Sequence, residues 1–71
     1  MVYTGKYTKK YSEALNQEVF ILEYKDTHRT SIPYCNCGMC GKPIIRKMYV
    51  IQDPETDVEM MYLGYDCVKK I

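Results

Sequence analysis

The chain has 71 residues and a formal net charge of +1, with 46% hydrophobic and 27% charged residues. A chain of this length forms one domain without room for a second core, and usually needs a metal, disulfides or a partner to be comfortably stable. The charge excludes a strongly basic nucleic-acid-binding domain of the simplest kind, and the hydrophobic content excludes global disorder.

Val2 to Tyr11 alternates loosely, with Tyr3, Gly5, Tyr7 and Tyr11 on one parity and Thr4, Lys6, Thr8 and Lys10 on the other. This pattern predicts a half-buried strand with a tyrosine face and a Thr/Lys face. Val19 to Lys25 is a second β-rich run, with Phe20, Leu22 and Tyr24 on one side. Ser12 to Gln17 then forms a turn in which Asn16 suits the left-handed conformation. A helix capped by Ser12, with Tyr11, Ala14 or Leu15, Val19 and Leu22 at near-helical spacing, is the rival. The β-branched and aromatic flanks favour the hairpin.

Asp26 to Pro33 is a polar connector that carries His28, the only histidine. The cysteine-rich stretch follows. Ile44 to Gln52 is another strand, Asp53-Pro54-Glu55-Thr56-Asp57 a turn, and Val58 to Leu63 the returning strand. Gly64 breaks that pattern. Asp66 is placed to cap a short helix carrying Cys67, Val68 and Ile71, with Lys69 and Lys70 near its C-terminal end. The acidic residues Asp53, Glu55, Asp57 and Glu59 read as a solvated hairpin tip, because they lack the glycine and ligand periodicity of a calcium loop.

The four cysteines carry the chemistry. Cys37-Gly38-Met39-Cys40-Gly41-Lys42 places two thiolates on one tight turn, and Gly41 supplies the positive φ that lets backbone N–H groups point at sulfur. Cys35 lies two residues upstream, and Cys67 stands at the predicted helix start, where a thiolate is stabilised. Four thiolates are the number that closes a tetrahedral zinc site, and a closed site is structural. Other readings of the same residues are a disulfide such as Cys35 to Cys67, redox-active thiols at Cys37 and Cys40, or an iron–sulfur centre. Met1 reads as a native cytosolic start, and in a reducing compartment such a cluster reads first as metal binding. No apolar run approaches membrane-spanning length.

The order of these elements resembles a treble-clef zinc finger. The zinc knuckle is Cys37 to Lys42, the β-hairpin runs from about Ile44 to Leu63, and Cys67 stands in the first turn of the following helix. The likeness covers the C-terminal half, and the style is also similar to small zinc-binding proteins of bacteriophages. It implies an α+β, mostly β domain over residues 1–71. Residues 1–33 then form an N-terminal hairpin and connector packed on a zinc unit at 34–71. Such a unit normally takes two ligands from its helix, and this chain has Lys70 three residues past Cys67. The resemblance therefore implies one structural zinc held by Cys35, Cys37, Cys40 and Cys67, with His28 or Asp66 as the substitute if Cys35 points away.

The chain shows no Ser/His/Asp or Cys/His pairing, paired catalytic carboxylates or phosphate-cradling loop, so the expectation is a non-enzymatic binding module in the cytoplasm. A phage-type regulator or inhibitor acting on a protein partner, such as a host enzyme, comes first. A nucleic-acid-binding zinc finger is the alternative, and a redox or metal-sensing switch the third. The surface for either of the first two is Tyr3, Lys6, Tyr7, Lys9, Lys10, Arg46 and Lys47, since rings stack on bases or partners and lysines neutralise phosphates. Buried tyrosines with lysines on the wet face explain the N-terminal pattern without any ligand, and are the preferred account of it.

Overall fold

The computed structural model describes residues 2–26 and 35–71. It is mostly β. Strands β1 (Val2–Ser12) and β2 (Gln17–Lys25) form the N-terminal hairpin, and β3 (Cys35–Asn36) and β4 (Pro43–Ile44) form a short ribbon. Strands β5 (Lys47–Gln52) and β6 (Glu59–Leu63) form a second hairpin, followed by a one-turn helix, α1 (Tyr65–Val68). The large sheet has the order β1-β2-β5-β6, antiparallel throughout, and β3-β4 make a separate two-stranded sheet.

Both turns follow from local chemistry. Asn16 takes φ 57° at the end of the first hairpin loop, and Tyr11 closes that loop by donating its hydroxyl to Asn16 Oδ1 at 2.7 Å. Ser12, fully buried, accepts from the Leu15 N–H at 3.1 Å. In the second hairpin Asp57 has φ 57°, and Asp53 Oδ1 accepts from the Glu55 N–H at 2.9 Å. Asn and Asp are the non-glycine residues that enter the left-handed region at least cost.

The two hairpins join edge to edge. Strand β2 pairs with β5 from Phe20↔Gln52 to Lys25↔Lys47, so the N-terminal hairpin extends the sheet of the C-terminal half. The core lies around β5, where Met48, Val50 and Ile51 are all buried. Successive strand side chains point to opposite faces, so a strand buried on both must be covered twice. On one face the Cys35 sulfur lies 3.8 Å from Met48 Sδ, which brings the β3-β4 ribbon against β5. On the other, the rings of Tyr49 and Tyr65 lie 6.4 Å apart, and Lys10 Nζ donates to the Ile71 carbonyl. Val19, Ile51, Leu63 and Ile71 are buried there.

Three expectations need correction. Strand β1 is not half-buried: every residue from Val2 to Tyr11 is exposed, because β1 is a sheet edge, and the C-terminal segment touches it only where Lys10 meets the Ile71 carbonyl, beside the buried Ser12. The run from Ile44 to Gln52 is interrupted, with Ile44 pairing in the ribbon and β5 starting at Lys47. Asp66 does not cap the helix; Gly64 holds the N-cap position without a side-chain bond, and Asp66 sits in the first turn.

Candidate metal centre

The cysteine turn is built by its own backbone. The Cys37 N–H donates to the Lys42 carbonyl at 2.8 Å, and the Gly41 N–H returns to the Cys37 carbonyl at 2.9 Å. Gly41 reverses the chain at φ 75°, a conformation that costs an L-residue roughly 1–2 kcal/mol. The Gly38 N–H donates to the Tyr62 carbonyl at 2.8 Å, which docks the turn on β6 just before that strand ends. Gly64 and α1 follow immediately, and they bring Cys67 back toward the turn.

The sulfurs of Cys37, Cys40 and Cys67 consequently lie within 4.8 Å of one another. Cys37 and Cys67 are buried and Cys40 is exposed; all are free thiols. Burial alone would push the Cys37 thiol up. The backbone N–H groups of Cys40, Gly64 and Met39 and the Cys67 thiol oppose that push and hold Cys37 down at about 6. Cys67 moves the other way, to about 11, because its protonated thiol donates to Cys37 and then to Cys40, with burial adding to the rise. The two shifts are opposite in direction, Cys37 lowered by the N–H groups around it and Cys67 raised by donating to its neighbours. A divalent metal seated among the three sulfurs would meet three soft donors and a set of N–H groups already turned toward Cys37. The donor set suits a thiophilic ion.

Cys35 stands apart. It sits in β3, its Cα paired with Ile44, and its sulfur meets Met48 rather than joining the other three. Burial raises its thiol, and the neighbouring Cys37 charge raises it further. His28 lies outside the described residues. Asp66 is exposed and is not part of the sulfur group.

The tyrosines and lysines proposed as one surface separate in space. Between Tyr3 and Tyr7, β1 has three residues (Thr4, Gly5 and Lys6) where β2 has only Glu23, and Gly5 takes φ 86° in this bulge. Tyr3 still faces Tyr24, and Tyr7 still faces Leu22, so both stay on one side of the sheet with Lys9 and Tyr11. Their exposures are 40%, 63% and 54% for Tyr3, Tyr7 and Tyr11. The Tyr3–Tyr24 and Tyr7–Phe20 ring centroids lie 5.5 and 5.8 Å apart. Lys9 is bound to Glu18 at 3.3 Å. Lys10 reaches Ile71 on the other face, and Lys47 lies 3.7 Å from Glu23 there. The Glu23 carboxylate is held below its ordinary value chiefly by the Thr4 hydroxyl, against burial, with the charges of Lys47, Lys6 and Lys25 assisting. Arg46 is exposed, and its carbonyl accepts from the Asp26 N–H at 2.9 Å.

Three contacts had no signal in the sequence: those of Tyr62 and Gly64 with the cysteine turn, and the cluster around Glu23. Tyr62 and Gly64 reach the cysteine turn only through the β5-β6 register, and Glu23 gathers Thr4, Tyr49 and Lys47 only because β2 lies between β1 and β5. No protein-family model matches the chain, and comparison with curated proteins and with solved structures likewise gives no match.

Proposed function

We propose that this chain is a small, non-enzymatic binding module, stabilised by one zinc ion, that recognises a protein through the tyrosine side of its edge strand. The observation that carries this reading is the row Tyr3, Tyr7 and Tyr11, exposed on one face, with Lys9 on that face paired to Glu18 and Lys10 turned to the other. Exposed tyrosines with few free charges match the cores of protein interfaces, which are enriched in aromatics and depleted in lysine. A nucleic-acid surface needs uncompensated cations beside its stacking rings. Here Lys9 is the lysine that shares the tyrosine side, and Glu18 neutralises it.

Zinc is the proposed metal because three thiolates on a C-x-x-C-G turn and a following helix suit it, and the same order supports the treble-clef resemblance. Cys37, Cys40 and Cys67 would hold the ion, which ties the turn to α1. Its part is to brace the fold, and the binding surface lies at the opposite edge of the sheet. A regulator or inhibitor that docks on a larger protein is the role that fits a domain of this size.

The test is affinity capture from lysate with wild type and with Tyr7→Ser, each with and without nuclease. The expected result is a protein captured by wild type, retained after nuclease and at high salt, and lost with Tyr7→Ser. Capture that disappears with nuclease, or a steep salt dependence of binding to DNA or RNA, would replace this reading with the nucleic-acid one.

A further inference from the structure

We infer that the metal is held by three thiolates of this chain, Cys37, Cys40 and Cys67, that Cys35 is a packing residue, and that the fourth position takes an exogenous thiolate. The inference rests on reading the trio as metal ligands and goes beyond it, because a closed four-cysteine site would have only a structural role. Three observations carry it.

The first is membership. Among the described residues, no fourth Cys, His, Asp or Glu joins the group of sulfurs within 4.8 Å. The second is the placement of Cys35. It belongs to β3, where Cys35↔Ile44 pairing fixes its backbone, and its sulfur packs 3.8 Å from Met48 Sδ, with Met48 itself buried in the core. Turning it toward the trio would give up that contact and open a gap over Met48. The third is the asymmetry of burial. Cys37 and Cys67 form a buried floor, and Cys40 is an exposed rim, so a tetrahedral ion seated on all three presents its remaining position on the solvent side.

A zinc ion with three protein ligands and one exchangeable position is the arrangement that accepts incoming donors. Soft thiolate ligands already surround it, and a further thiolate is the matching donor. In the exchange a water held at the fourth position of the bound ion would leave as the zinc–sulfur bond forms. The incoming thiol releases its proton to solvent, and no electron is transferred. A free small thiol and a cysteine carried by a protein present the same chemistry.

Cobalt(II) substitution tests this, because the sulfur-to-cobalt charge-transfer intensity counts thiolates. The cobalt-loaded protein should show three, and Cys35→Ser should leave the spectrum and the cobalt affinity unchanged. Adding 2-mercaptoethanol, or a blocked pentapeptide with one cysteine, should raise the intensity by about a third as the fourth position of the tetrahedron fills. Tighter uptake of the peptide assigns the donor to a protein, and equal uptake assigns it to small thiols. A four-thiolate spectrum in wild type that loses intensity in both Cys35→Ser and Cys35→Ala would overturn the inference while leaving the metal site intact. So would a change of the ligand-field bands in His28→Ala, or a spectrum indifferent to added thiol. Failure of wild type to bind cobalt or zinc at all would remove the metal reading itself.

Discussion

Metal removal should cost this protein a large part of its stability. A bound ion links Cys40 to Cys67 and closes a loop of about 27 residues; treated as a cross-link, that closure is worth roughly 3–4 kcal/mol. Mass action leads to a similar figure, since free metal at about a thousand times its dissociation constant stabilises by ~4 kcal/mol. A chain of this size has a total of roughly 4–10 kcal/mol to lose. The core shows why the fraction is high. The buried apolar set among the described residues numbers nine, and two of them, Cys37 and Cys67, are the proposed ligands. Chelation in the presence of a reductant should lower the melting temperature by roughly 15–30 °C, given about 4–8 °C per kcal/mol for a small domain. Circular dichroism melts with and without chelator measure this, and hydrogen exchange locates it. Protection should fall first at the Gly38 and Val68 amides, which donate to Tyr62 and Gly64. Cys67→Ser should melt low in both conditions. A wild-type shift under about 5 °C would refute the reasoning, since the cross-link would then contribute less than about 1 kcal/mol.

Other substitutions separate the remaining claims. Gly41→Ala should cost roughly 1–2 kcal/mol from its positive φ alone, since a Cβ there meets nothing within 4 Å. Gly64→Ala, with open space and ordinary φ, should change stability little; urea melts of the pair compare strain with space. Ile51→Ala, which empties a fully buried site on β5, should cost roughly 2–5 kcal/mol by the same assay. Glu23 has a lowered folded-state value, so its contribution is present above about 4.5, the ordinary carboxylate value, and is lost as pH falls through the folded one. Removing the chief cause with Thr4→Val should flatten the fall in stability between neutral and acid pH by roughly 0.5–1 kcal/mol. An unchanged pH profile would show that the Thr4–Glu23 bond is inert.

How far the sequence could be read depended on whether the deciding interaction was local. The Asn16 turn, the Asp53–Asp57 turn, the Gly41 reversal and the placement of Cys67 in the first turn of a helix are all local, and all stand in the structure. Alternation in β1 correctly placed Tyr3, Tyr7 and Tyr11 on one side of the sheet. It could not tell whether another layer covered that side, because cover depends on the distant β3-β4 ribbon, which packs at Met48 and stops short of β1. Cys35 illustrates the same limit. Its spacing from Cys37 is compatible with a shared metal, and only the pairing with Ile44 and the contact with Met48 turn its sulfur elsewhere.

The proposed metal site and the proposed docking surface sit at opposite edges of one sheet, and the sheet order explains the division. Strand β6, at one edge, receives the cysteine turn through the Gly38–Tyr62 bond and leads directly into the helix that carries Cys67. Strand β1, at the other edge, is exposed from Val2 to Tyr11, and the rings of Tyr3 and Tyr7 rest laterally on Tyr24 and Phe20 of β2. Between them lie β2 and β5, and β5 carries buried side chains on both faces. A bound ion would hold the turn, β6 and α1 together, and β5 in turn would hold β2 and the hairpin that presents the tyrosines. Loss of the metal should therefore weaken partner binding without any ligand residue touching the partner. Tyr7→Ser, by contrast, should weaken binding while leaving metal affinity and melting temperature nearly unchanged. That asymmetry distinguishes a brace from a docking site.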